Sequence, residues 1–160
     1  MKEFSLIKHA RGALGLRIFG MGPFFLPNQS LKRLQQLFNQ EAQWARNRSL
    51  DDLKKMLKNS DIVITLWKKN ELIGFGRATT DNVFRSVLWD IVISSNYQGF
   101  GLGKAIVDSL INDPLISSSE KIYLMTTNKV EFYNNLGGSC PSATGLDNTV
   151  HACYKGGQSA

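Results

Sequence analysis

Three glycines at alternate positions, Gly99, Gly101 and Gly103, stand between a segment rich in β-branched residues and an apolar stripe at helical spacing. Glycine adopts left-handed backbone at little cost, so such a run can fold the chain tightly and aim successive N–H groups at one point. The helix that follows adds the positive end of its dipole, and Lys104 adds a charge. The constellation suits a phosphate or pyrophosphate; the plainer alternative is a glycine-rich turn that only joins a strand to a helix. Two familiar phosphate loops fail here. A dinucleotide fingerprint wants glycine where Lys104 stands, and a P-loop wants a hydroxyl residue where Ala105 follows Gly103-Lys104.

The surrounding pattern places this loop. Leu31, Leu34, Leu37 and Phe38 fall at helical spacing behind Ser30, a suitable N-cap, and predict a helix ending near Trp44. A second helix is predicted from Ser49, with Leu50, Leu53 and Leu57 on one face and Asp51 and Asp52 in its first turn. Segments 61–67, 72–79 and 86–93 read as an antiparallel meander, followed by the loop and a helix carrying Leu102, Ala105, Ile106 and Leu110. Lys121 to Met125 reads as a strand parallel to the one before the loop, because a helical crossover separates them. A helix beginning at Thr127 or Asn128 ends at Gly137, and a short strand lies around 149–154. In the first 28 residues the best strand candidate is Leu14, Leu16, Ile18 and Phe19. The expected class is α/β in the α+β sense, a mixed but mostly antiparallel sheet flanked by helices.

Composition narrows the setting. The 160 residues, 42% hydrophobic and 20% charged, suit one domain over 1–160 with a sizeable core. A net charge of +6 favours anionic ligands in general, but the basic residues are dispersed, so a nucleic-acid arm is not indicated. Cys140 and Cys153 are too few for a disulfide framework and form no metal-ligand pattern with His9 or His151. No metal is expected. No stretch reaches the roughly 20 apolar residues of a membrane span, so neither a membrane nor a nucleic-acid partner is expected, and the compartment is read as cytoplasmic.

With these elements in order, Val92 to Ile106 resembles motif A of the GNAT-type N-acetyltransferases, whose signature Gln/Arg-x-x-Gly-x-Gly/Ala is met by Gln98-Gly99-Phe100-Gly101-Leu102-Gly103. Phe132-Tyr133-Asn134-Asn135-Leu136-Gly137 resembles that family's Tyr-x-x-Leu-Gly-Phe signature, with Gly138 in place of the phenylalanine. The similarity runs from about Leu31 to Gly137, includes Trp44 to Ser49, Gly74 to Thr79 and Leu88 to Ile93, and is nearest the cyanobacterial and plastid branch. That branch would make the compartment stromal in a plastid. The resemblance implies a sheet splayed between its fourth and fifth strands and acetyl-CoA, a coenzyme A thioester, as co-substrate. On that basis Ile91, Val92 and Ile93 would meet the pantetheine arm and thioester carbonyl, and the amides from Gly99 to Lys104, with Gln98 and Phe100 in the same loop, would hold the pyrophosphate. Asn128 and Phe132 would complete the cofactor site, with Thr126 an alternative to Asn128. Trp44, Arg46 and Arg48 would border the acceptor, and a homodimer through the C-terminal region is common in such folds.

Acetyl transfer needs a neutral amine, whereas a free alkylamine has a pKa of about 10. Asp90, bracketed by Trp89 and Ile91, is the candidate base if burial raises its carboxyl; the alternative is an aspartate that fixes the sheet by hydrogen bonds or a salt bridge. Tyr133 is the candidate proton donor to the departing thiolate, against a plain core aromatic beside Phe132. No cysteine or serine sits beside a base, so direct attack in a ternary complex is expected, on a small arylalkylamine or on protein lysines and N-termini. The rival reading is a non-catalytic acyl-CoA-binding sensor or scaffold.

Overall fold

The computed structural model of the chain describes residues 4–23, 29–126, 130–138 and 150–155. Six strands, β1 (Ser5–His9), β2 (Ile62–Lys68), β3 (Glu71–Thr80), β4 (Arg85–Ile93), β5 (Lys121–Thr126) and β6 (Val150–Lys155), follow one another in sheet order β1-β2-β3-β4-β5-β6. The sheet is mixed: β1 and β2 are antiparallel, β4 and β5 parallel, β5 and β6 antiparallel. The helices are α1 (Leu14–Phe19), α2 (Ser30–Glu41), α3 (Leu50–Lys58), α4 (Leu102–Ile111), α5 (Pro114–Ser117) and α6 (Val130–Asn134). The chain divides into two compact units, Met1–Arg77 with Asp90–Leu110 and Ala78–Trp89 with Ile111–Ala160, so β3 and β4 contribute to both.

In the first unit, Leu16 of α1, Leu34, Leu37 and Phe38 of α2, and Leu53 and Leu57 of α3 pack on Val63, Trp67, Phe75 and Val92 of the sheet. Each such side chain contributes roughly 1.5–3 kcal/mol by leaving water. Phe38 meets Phe75 edge to face at 5.4 Å, a favoured geometry for two rings. The other sheet face is shaped by absent side chains. A Cβ on Gly76 would stand 2.5 Å from Ile106 Cγ2 and 3.3 Å from Leu110 Cδ1, so glycine there lets α4 lie close on β3. Every residue of β2 from Ile62 to Trp67 is buried, as both faces are covered.

Local chemistry explains most boundaries. Ser49 caps α3 by accepting the Asp52 N–H at 3.0 Å, as its sequence position predicts. Ser30 is not the cap of α2. It is the first helical residue, Gln29 occupies the cap with φ 58°, and the Ser30 hydroxyl donates to the Gly20 carbonyl at 2.9 Å. The helix also stops earlier than predicted: Ala42 is extended, and Gln43–Ala45 form a separate 3-10 turn. Leu14 to Phe19 form a helix, not the predicted strand. Their alternating leucines mimic strand periodicity, but only Leu16 is buried, and Gly20 ends the turn in left-handed backbone, its N–H bonded to the Gly15 carbonyl. β1 carries almost no apolar alternation, with Leu6 and Ile7 its only large apolar residues, so pairing with β2, not pattern, makes it a strand.

In the second unit the parallel register joins Arg85 with Lys121 through Leu88 with Leu124, and β4 runs on beyond it as Trp89–Ile93. β6 pairs with β5 from Lys121 opposite Lys155 to Thr126 opposite Val150, close to the strand expected at 149–154. A buried hydroxyl chain links Ser86 to Ser119 at 2.6 Å and Ser119 to Thr80 at 3.2 Å. The turn before β4 is organised by Asp81, whose Oδ1 accepts the N–H groups of Val83, Phe84 and Arg85 at 2.9, 2.8 and 2.9 Å. Those backbone bonds, Arg85 foremost, hold its carboxyl below the ordinary carboxylate range.

Candidate functional site

After β4, Ser95–Tyr97 make a 3-10 turn, and the glycine loop then enters α4. Gly99 and Gly101 adopt φ 83° and 74°, the left-handed backbone expected of them. Around each, the space where a side chain would stand is open to 4 Å. The first bond of α4 is Ala105 N–H to Gly101 carbonyl at 3.0 Å, so the N–H groups of Leu102, Gly103 and Lys104 precede it and have no acceptor within the helix. Consecutive amides at the positive end of a ten-residue helix can hold a phosphate or pyrophosphate. The loop's side chains are disposed around this point. Gln98 Nε2 turns back to the Ile93 carbonyl at 3.2 Å, and Phe100 is 67% exposed. Lys104 pairs along the helix with Asp108 at 2.6 Å, so its charge is shared with a carboxylate instead of standing alone in the loop.

Behind the loop, the last three residues of β4 point to alternate faces of the sheet. Val92 belongs to the helical core, while Ile91 and Ile93 face Gly76 and Gly74 on the side of α4. Asp90 interrupts the strand with φ 51°. Its side chain is 6% exposed, and each oxygen accepts from a guanidinium: Oδ2 from Arg77 Nε at 2.7 Å, Oδ1 from Arg48 Nη1 at 3.1 Å. Of the two readings of Asp90 offered by the sequence, a base and an aspartate that fixes the sheet, these contacts are those of the second, a salt bridge with two guanidinium partners. Arg77 comes from β3, beside β4 in the sheet, and the connection between α2 and α3 delivers Arg48. Sequence reasoning missed Arg77 as a partner. The available signal was strand periodicity, which places Arg77 on the same side as the buried Phe75, where a charge requires a counter-ion.

Tyr133 and Phe132 belong to the second unit. Tyr133 is buried, and the two rings meet at 4.9 Å in a T-shape. The Tyr133 carbonyl accepts the N–H groups of Leu136 and Gly138 at 3.1 and 3.0 Å, closing α6 ahead of a left-handed Gly137 with φ 84°. Asn128, and with it the predicted cap of α6, lies outside the described residues, as does Cys140. Of the proposed acceptor border, Trp44 is 64% exposed on its 3-10 turn and Arg46 is exposed, whereas Arg48 is drawn inward to Asp90. Among the described residues no cluster of three or more His, Cys, Asp or Glu is arranged to hold a metal, and no helix is long and apolar enough to cross a membrane.

The chain is 39% identical over 115 residues to the uncharacterised N-acetyltransferase ycf52 of Pyropia yezoensis, covering 69% of this chain and 65% of that one. It is 40% identical over 106 residues to the histone acetyltransferase TAP1 of Glycine max, covering 59% and 46%. The chain thus spans less than two-thirds of the length of these relatives. Its fold matches that of the ribosomal-protein-S18-alanine N-acetyltransferase of Escherichia coli at a TM-score of 0.68 and 12% identity, over 98% of this chain and 97% of that one. Residues 31–137, which contain the glycine loop, Asp90 and Tyr133, match the Acetyltransferase (GNAT) family, and the chain belongs to that family.

Proposed function

We propose that the protein moves an acetyl group from acetyl-CoA to a primary amine, by direct attack of the amine within a ternary complex. The observation that carries this reading is the loop from Gly99 to Gly103: left-handed glycines, open space around them, and consecutive amides at the head of α4. That geometry fits the pyrophosphate of a coenzyme A arm, and the edge of β4 directly before it is in sequence reach of the pantetheine. When bound, acetyl-CoA supplies the activated thioester. The amides from Gly99 to Lys104 bind and orient it, and a backbone N–H near Val92 or Ile93 polarises the thioester carbonyl. Tyr133 donates a proton to the leaving sulfur, and the proton that the attacking amine gives up as the amide forms passes to water. The soybean relative is named a histone acetyltransferase, which favours protein amines, lysine side chains or N-termini, as acceptors, and small arylalkylamines are the other class.

Incubation with acetyl-CoA and either tryptamine or a lysine-containing peptide tests this, with free thiol as the readout. Thiol release above the rate without amine is expected with at least one acceptor. Coenzyme A binding without thiol release for any amine would leave an acyl-CoA-binding module instead.

A further inference from the structure

We propose that Asp90 is a positioning residue: its carboxylate, clamped by Arg77 and Arg48, holds the left-handed turn in β4 and thereby sets the backbone of Ile91–Ile93. This rests on the function proposed above, which brings the thioester end of acetyl-CoA to that backbone. Asp90 has φ 51° in the interior of a strand that spans Arg85–Ile93. Left-handed backbone is strained for an L-residue and persists only where the surroundings over-determine it. Here they do. The two guanidinium bonds, at 2.7 and 3.1 Å, are charge-assisted and part-buried, with the Asp90 side chain itself 6% exposed.

Each arginine is held in turn from elsewhere in the same unit. Arg77 Nη1 reaches Ser60 Oγ at 3.4 Å, just past α3. Arg48 lies over the Phe38 ring, 5.3 Å from its centroid, and its carbonyl accepts Gln35 Nε2 at 2.9 Å. The clamp therefore joins β4 to β3, to α2 and to the end of α3. It also anchors the segment from Trp44 to Arg48, where the Asn47 N–H donates to Asn39 Oδ1 at 2.9 Å. A carboxylate with a guanidinium on each oxygen is suited to holding geometry, not to taking a proton from an incoming amine. Relaxing the turn at Asp90 would displace the residues directly after it.

The test compares Asp90→Gly, Asp90→Ala and Asp90→Asn for kcat, KM for acetyl-CoA, pH–rate profile, coenzyme A binding by calorimetry, and Tm. Glycine takes left-handed backbone without strain, so Asp90→Gly keeps the turn without the clamp and should stay within about tenfold of wild-type kcat/KM. Alanine carries the strain with nothing to hold it, and should fall on the order of a hundredfold, chiefly through KM for acetyl-CoA and weaker coenzyme A binding. Asp90→Asn should lie between them, and adding Arg77→Met to it should change little further. Equal loss of kcat in all three variants, at unchanged coenzyme A affinity and with one limb of the pH–rate profile removed, would assign Asp90 to proton transfer and overturn the proposal. So would any result in which glycine is no better than alanine while the wild type turns over. A wild type that neither binds coenzyme A nor releases thiol sinks the functional reading, and positioning with it.

Discussion

Gly99 and Gly101 are held in backbone that any side chain would strain, yet a methyl group at either would meet open space. The cost of alanine there is conformational, about 1 kcal/mol each, and it falls on the shape of the loop. Gly99→Ala and Gly101→Ala are therefore expected to weaken coenzyme A binding by about tenfold or less in calorimetry, with Tm lowered only slightly. Tyr133 makes a different prediction at this scale. Tyr133→Phe keeps the ring packed on Phe132 and removes one hydroxyl, so kcat should drop on the order of a hundredfold while KM for acetyl-CoA stays near wild type. Unchanged kcat would return Tyr133 to the role of a core aromatic. The glycines could be recognised in the chain because their constraint is local. The partners of Asp90 could not, because Arg77 lies 13 residues away and Arg48 42, and only the folded sheet brings them together.

Between elements, the contact that sets the loop is the one between β3 and α4. At Gly76 an added methyl would press on Ile106 Cγ2, a branched atom close to the helix backbone. At Gly74 the nearest atom, at 2.7 Å, is the flexible end of Ile93, although Leu66 Cβ stands at 3.2 Å. Gly76→Ala should therefore destabilise the protein by about 1–3 kcal/mol in urea unfolding and weaken coenzyme A binding, and Gly74→Ala should cost less. Equal Tm for Gly76→Ala and wild type would mean that α4 is free to lift from β3. Long periodic elements were legible in the sequence: α3 with its serine cap, the meander of β2, β3 and β4, and the parallel β5. The failures are short. Six residues of α1 cannot distinguish a helix from a strand by periodicity, and β1 depends on its neighbour for every ladder bond.

Over the whole molecule, acid should act through a histidine remote from the loop. Burial lowers His9 from an ordinary value near 6.5 to about 4. Its Nε2 lies 2.7 Å from Thr65 Oγ1, which also accepts from Trp67 Nε1 at 2.8 Å. A hydroxyl that accepts the indole N–H can donate its own proton to an unprotonated imidazole, which matches a neutral ring. The unfolded chain binds a proton more readily than the native one, so this contribution is complete above about pH 6.5 and is lost as pH falls toward 4. It amounts to at most about 3 kcal/mol. Urea midpoints should fall over that interval, less steeply in His9→Gln; identical slopes would remove His9 as the cause. By itself the sequence determined the loop, the order of the main elements and the family, because backbone freedom at glycine and hydrophobic period are properties of adjacent residues. The tertiary structure alone decided that Asp90 sits in left-handed backbone between two arginines, that His9 is half-buried against Thr65, and that β1 joins the sheet. Each of those depends on residues distant in the chain, whose charge, burial and pairing exist only once the strands are side by side.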